Sequence, residues 1–158
     1  MPIFETCMAE SFMLPLHMDD DYDEEIAESN LNLKSLMARL FGKKMIVGLE
    51  YPVWVFREAL EEPHQRIFAM NPLVDLMKEW IYHSGEVIYA SINGKELARI
   101  VKLTKPGTLY NGESSISHDR WKFWKEKLPG IAAFVSGGKK SVLKEIERKM
   151  TEIENLNE

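Results

Sequence analysis

Apolar positions along this chain recur at intervals of three and four residues, with no sustained alternation of two. That period belongs to helices rather than strands, so the pattern predicts an all-α protein. Leu31, Leu33, Leu36, Met37, Leu40 and Phe41 predict a first long helix over about 23–41, with a possible break near Ser29-Asn30 and Gly42 as its C-cap. Tyr51-Pro52 opens the next element, where Val53, Trp54, Phe56, Ala59 and Leu60 form an apolar band that Pro63 ends. Asn71-Pro72 reads as an N-cap followed by proline in the first turn, and the helix it starts extends to about Ser91, before Asn93-Gly94. Its stripe is Leu73, Leu76, Met77, Trp80, Ser84, Val87, Ile88 and Ser91, while Tyr82 and Tyr89 fall on the opposite face. A helix with aromatic residues on both sides is expected at the centre of the domain.

Residues 95–103 form a short amphipathic segment, and Pro106-Gly107 with Asn111-Gly112 mark 104–115 as a loop. Ser117 is the N-cap of a helix whose Trp121, Trp124 and Leu128 share one face up to Pro129. Gly137-Gly138 predicts another break, and Val142, Leu143, Ile146, Met150 and Ile153 stripe a last helix over 139–156. The expectation is a single compact domain of five to seven helices over residues 19–158. Ahead of it, residues 1–18 hold Phe4, Met8, Phe12, Met13, Leu14 and Leu16, too apolar for a solvated tail. This segment is expected to be an arm packed on the domain, a lid over a pocket, or an arm exchanged in a homodimer. Its flexible, polarisable methionines suit an adaptable apolar surface.

With 158 residues, 45% of them hydrophobic, the chain has enough apolar material for a core without staples. Cys7 is the only cysteine, so no internal disulfide exists. A net charge of −5 gives no general attraction to nucleic acid, which is not expected as a partner. No apolar run approaches the ~20 residues of a membrane span. Residues 1–18 also lack the basic start of a signal peptide and carry Glu5, Glu10 and Pro15. A cytoplasmic protein is the expected setting.

Little in the sequence points to metal or nucleotide chemistry. Asp19-Asp20-Asp21-Tyr22-Asp23 contains an Asp-Asp-x-x-Asp pattern of the kind that holds Mg²⁺ and a diphosphate, yet any acidic run this dense produces it and no second metal motif follows. Aligned as a calcium loop, the block fails at Glu24, where glycine is required, and at Asn30, where a bidentate glutamate belongs. A solvated, acidic helix start is the simpler reading. His17, His64, His83 and His118 have no zinc-ligand spacing, so neither a metal nor another cofactor is expected. Gly137-Gly138-Lys139-Lys140-Ser141 lacks the first glycine and the preceding strand of a phosphate-binding loop. Arg120-Trp121-Lys122-Phe123-Trp124-Lys125 alternates cations with aromatics, but its periodicity fits core tryptophans bordered by lysines better than a nucleic-acid surface. His83 borders the stripe of the long helix beside Tyr82. It reads as a hydrogen-bonded boundary residue or as a general base or donor in a pocket.

Several of these segments, in order, resemble a family of uncharacterised fungal proteins named for domain of unknown function 3632. They are Leu31 to Leu40, Trp54 to Glu61, Trp80-Ile81-Tyr82-His83-Ser84-Gly85, Leu109-Tyr110-Asn111-Gly112 and Arg120 to Lys125, with a helix closing on Met150. The resemblance spans about residues 30–150, and Arg-Trp-x-Phe-Trp-Lys is its most specific part. It implies a helical fold and a filamentous fungus, where such proteins sometimes serve secondary metabolism. One expectation is therefore a cofactor-free cyclase or pericyclase acting on an apolar polyketide or terpenoid. Such a catalyst needs mainly a shaped apolar pocket and one or two donors. His83 and Tyr82 would be the catalytic donors, with Trp54, Trp80, Tyr89, Trp121 and Trp124 lining the pocket. The alternative is a non-catalytic interaction module that self-associates through the N-terminal arm and exposed aromatics.

Overall fold

The computed structural model describes residues 24–63, 67–94 and 98–157, together with Thr6 and Glu10. The arm over residues 1–18, Cys7, His17, His64 and the aspartates of the acidic block lie outside the described residues except at those two positions. Six α-helices are present among the described residues and no strand, in agreement with the periodicity. They are α1 (Glu24–Gly42), α2 (Glu50–Phe56), α3 (Ile67–Ala90), α4 (Ala98–Leu103), α5 (His118–Lys127) and α6 (Gly137–Leu156). A π-helical turn, Arg57–Glu61, prolongs α2, and a 3-10 stretch, Leu128–Phe134, joins α5 to α6.

Helix α3 is central. It packs against α1 on one side and α6 on another, and α2 also leans on it. Small residues set the closest approaches. A Cβ on Gly42 would stand 1.8 Å from the backbone oxygen of His83, and Ser84 beside it donates its hydroxyl to the Ala38 carbonyl. Toward α6, a Cβ on Gly85 would stand 2.5 Å from Cδ1 of Ile153. Met37, Phe41, Leu73, Met77, Trp80, Ile81, Leu143, Ile146 and Met150 fill the space between the three helices. Each such side chain contributes roughly 1.5–3 kcal/mol by leaving water.

Three helices differ at their boundaries from the sequence reading, each for a local reason. Helix α1 is unbroken through Ser29-Asn30, and Gly42 lies inside it, its glycine required by the His83 carbonyl rather than by a cap. The left-handed capping position falls to Lys44 (φ 57°). There Lys44 N–H reaches the Phe41 carbonyl at 2.8 Å and Met45 N–H the Leu40 carbonyl at 2.9 Å, the two bonds of a Schellman motif. Helix α3 begins at Ile67, so Asn71 and Pro72 are interior rather than its start. Asn71 turns outward to the start of α6, donating to Ser136 Oγ and accepting from Ser136 N–H, both at 3.1 Å. Gly137-Gly138 does not interrupt α6 but forms its first turn, with open space where side chains would be. Helix α5 ends at Lys127, just ahead of Pro129 as the sequence reading has it, and a 3-10 stretch accommodates the proline near its own start.

Candidate functional site

The residues nominated as pocket and donors occupy two different settings. Trp80, Trp121 and Trp124 are buried in the interior, at 0%, 1% and 0% exposure. Trp124 stacks on Phe56 with ring centres 4.7 Å apart, and Phe41 meets Trp80 edge-on at 5.7 Å. Tyr89 is half-buried and closes over Trp121 at 5.1 Å, with the His118 ring 5.4 Å away on its other side. Trp54, also half-buried, belongs to a separate contact: it meets Tyr51 edge-on at 5.7 Å and donates its indole N–H to the Leu103 carbonyl at 2.7 Å. That bond ties the end of α4 to α2.

Tyr82 and His83 are on the surface. Tyr82 lies beneath the Lys78 ammonium, 5.5 Å from its ring centre, while Lys78 pairs with Glu145 of α6 at 2.7 Å. The Glu145 hydrogen bond holds the Lys78 ammonium above its ordinary range, against a smaller effect of burial. His83 Nε2 is 3.5 Å from the Glu79 carboxylate one turn earlier, and Arg39 of α1 grips the same oxygen at 2.9 Å and 3.1 Å. The structure thus brings Tyr89 to Trp121 and leaves Tyr82 and His83 on the outside, away from the buried tryptophans.

The densest polar constellation is one that periodicity did not reveal. Arg120 and Glu61 are both fully buried and form a two-pronged ion pair, Nε to Oε1 at 2.7 Å and Nη2 to Oε2 at 2.9 Å. The other guanidinium hydrogens reach the carbonyls of Thr104 (2.6 Å), Ser115 (2.9 Å) and Lys105 (3.3 Å). Glu61 also accepts from the Trp124 indole at 2.6 Å and from Gly107 N–H at 2.8 Å. All the donors of the arginine and both oxygens of the glutamate are engaged, as burial of two charges demands.

The π-helical turn makes this possible by presenting two successive carboxylates and a carbonyl to the loop 104–117. Leu109 N–H donates to the Glu61 carbonyl at 2.8 Å, and Thr108 donates its hydroxyl to Glu62 at 2.9 Å. A side chain at Gly107 would collide with the Glu61 backbone, 2.6 Å from its oxygen, so glycine is required for its N–H to come this close. Partial burial pushes the Glu62 carboxyl up, but hydrogen bonds from Thr108 and Arg57, with the Arg57 charge, outweigh it and hold the group below its usual range. The constellation is a clasp that fixes the loop, with each oxygen of the Glu61 carboxylate already accepting two hydrogen bonds. Its one visible sign in the sequence was an arginine four residues before Trp124 on the border of the tryptophan face.

A second buried charge is Lys34 on the inner side of α1. Burial pushes its ammonium below the ordinary lysine range, and the charge of Glu58 opposes that shift. Among the described residues no group of three histidine, cysteine or acidic side chains is placed to hold a metal ion, and no helix is long and apolar enough to cross a membrane.

The geometry defines an all-helical domain with a tryptophan-filled interior and a loop locked by a buried ion pair. The model of the family described as protein of unknown function (DUF3632) matches residues 1–128, and the chain belongs to that family. The match starts earlier than the quoted segments, at residue 1, and ends at the close of α5 rather than near Met150. Neither a curated protein nor a solved structure matches the chain.

Proposed function

We propose that this chain is a non-catalytic interaction module that associates with a second copy of itself. The observation that carries the reading is the division of apolar side chains. Trp80, Trp121 and Trp124 are packed into the interior and Trp54 is half-buried against Tyr51, while Met45 and Val47, at 68% and 78% exposure, stand in water. Such side chains on a loop fixed by a Schellman cap favour contact with another surface. The experiment is native mass spectrometry of the purified full chain, followed by denaturation to release anything bound. The expected result is a dimer carrying no small molecule. An apolar metabolite retained at near-stoichiometric occupancy would overturn the reading.

That outcome would favour the second reading, a cofactor-free cyclase or pericyclase for an apolar polyketide or terpenoid. One observation supports it: Tyr82 and His83, consecutive on α3, are both exposed. On that reading His83→Ala lowers turnover without lowering the melting temperature, since His83 has only a surface contact to lose.

A further inference from the structure

The outward residues of α1 are spaced three and four apart and sort by charge along its length. Glu25 and Glu28 lie near its start, Asn32 and Leu36 near its middle, and Lys43 and Lys44 follow its end; all six are exposed. The opposite face of the helix, with Met37, Ala38 and Phe41, is packed on the body, so this outer face is held rigid. Leu36 is 47% exposed at its centre, and Met45, which follows the lysines in sequence, is exposed as well. Glu28 and Lys44 are kept apart within one chain, because the helix from Glu28 to Gly42 alone spans about 21 Å.

We propose that this face is a two-fold interface with a second copy of the chain, in which two α1 helices lie antiparallel; the proposal rests on the self-association reading above and names its surface. With Leu36 set against Leu36 of the partner subunit, the cap holding Lys43 and Lys44 just past the end of one helix lies near the partner subunit's Glu28. The symmetry then makes each acidic-to-basic contact twice, and the acidic start of each helix faces the basic end of its mate. A parallel arrangement would instead oppose like charges. Arg39 shares the face but is already held by Glu79, so the work of charge recognition falls on Lys43 and Lys44. A single pair of helices about 28 Å long buries less than a standard interface, so the dimer forms in the micromolar range and weakens with salt.

The test is sedimentation velocity of the full chain over a concentration series at low and high salt, with circular dichroism confirming that each variant is folded. The natural chain should dimerise at low salt and dissociate at high salt. Lys43→Glu/Lys44→Glu and Glu28→Lys should each weaken self-association by at least about tenfold. An equimolar mixture of the two variants should recover dimers, because each supplies the charges the other lacks. A dimer unchanged in both variants would overturn the α1 interface while leaving self-association standing. A natural chain that stays monomeric at millimolar concentration would overturn both.

Discussion

Replacing Arg120 with methionine keeps an unbranched apolar stem and removes the guanidinium, with its charge and all its donors. The loss would leave the Glu61 carboxylate, fully buried, with only the Trp124 indole and Gly107 N–H as partners. It would also deprive the carbonyls of Thr104, Ser115 and Lys105 of their donor. Breaking a buried ion pair from one side costs about 3–5 kcal/mol, a large part of the ~5–15 kcal/mol that stabilises a domain of this kind. The assay is urea unfolding followed by tryptophan fluorescence, with amide hydrogen exchange over residues 104–117 as the local readout. Arg120→Met should lower the midpoint by an amount equivalent to that cost and speed exchange in the loop. The double variant Glu61→Leu/Arg120→Met removes both charges, so it should cost less than the sum of the single variants by at least about 2 kcal/mol. A cost below about 1 kcal/mol for Arg120→Met would refute the reasoning, because that is the value of a solvated surface pair.

Gly42→Ala should destabilise by about 1–3 kcal/mol in a thermal melt, since its Cβ would meet the His83 carbonyl at 1.8 Å and backbone cannot swing aside. Gly137→Ala, where nothing stands within 4 Å, should instead stabilise by about 0.5–1 kcal/mol in the same assay. Lys44→Gly should raise stability by about 1 kcal/mol by relieving the left-handed backbone at φ 57°, and should weaken self-association by removing a charge. The Glu62 carboxyl is held below its unfolded range, so its contribution is present above the unfolded value and is lost as pH falls through the folded one. Acid unfolding should therefore be less steep below about pH 4 in Glu62→Gln than in the natural chain.

Helix existence and the identity of the core were legible because both follow from spacing. The stripes containing Trp80, Trp121, Ile146 and Ile153 point inward as their periodicity required. Boundaries were less legible, because one residue type serves several physical ends. A glycine after an apolar run reads as a cap, yet Gly42 answers to the backbone of a helix forty residues away, and the cap itself is a lysine. Asn71-Pro72 reads as a helix start, yet Asn71 serves the start of α6. The buried ion pair was illegible for the same reason. Glu61 and Arg120 each look like an ordinary charge beside an apolar stripe, and only tertiary folding brings them within 2.7 Å. Tyr82 is exposed, as its place opposite the stripe required, whereas the position of His83 on the border of the stripe left its direction open, and it faces solvent.

The family match ends at residue 128, but the interior does not. Inside the match, Trp121 gives its indole N–H to Glu154 at 3.0 Å, and Lys125 pairs with the same carboxylate. Asp75 of α3 takes the Lys139 ammonium at 2.6 Å, and Gly85 is small where Ile153 presses against it. Each of these residues lies within the family match and finds its partner on α6. Without α6, the side of α3 that packs on Ile146, Met150 and Ile153 would face water, as would the outer edge of Trp121. The described part of the matched segment therefore shares one interior with α6. Interfaces or ligands should accordingly be sought on the surfaces α6 leaves open, among them the outer face of α1, rather than on the side of α3 that α6 already covers.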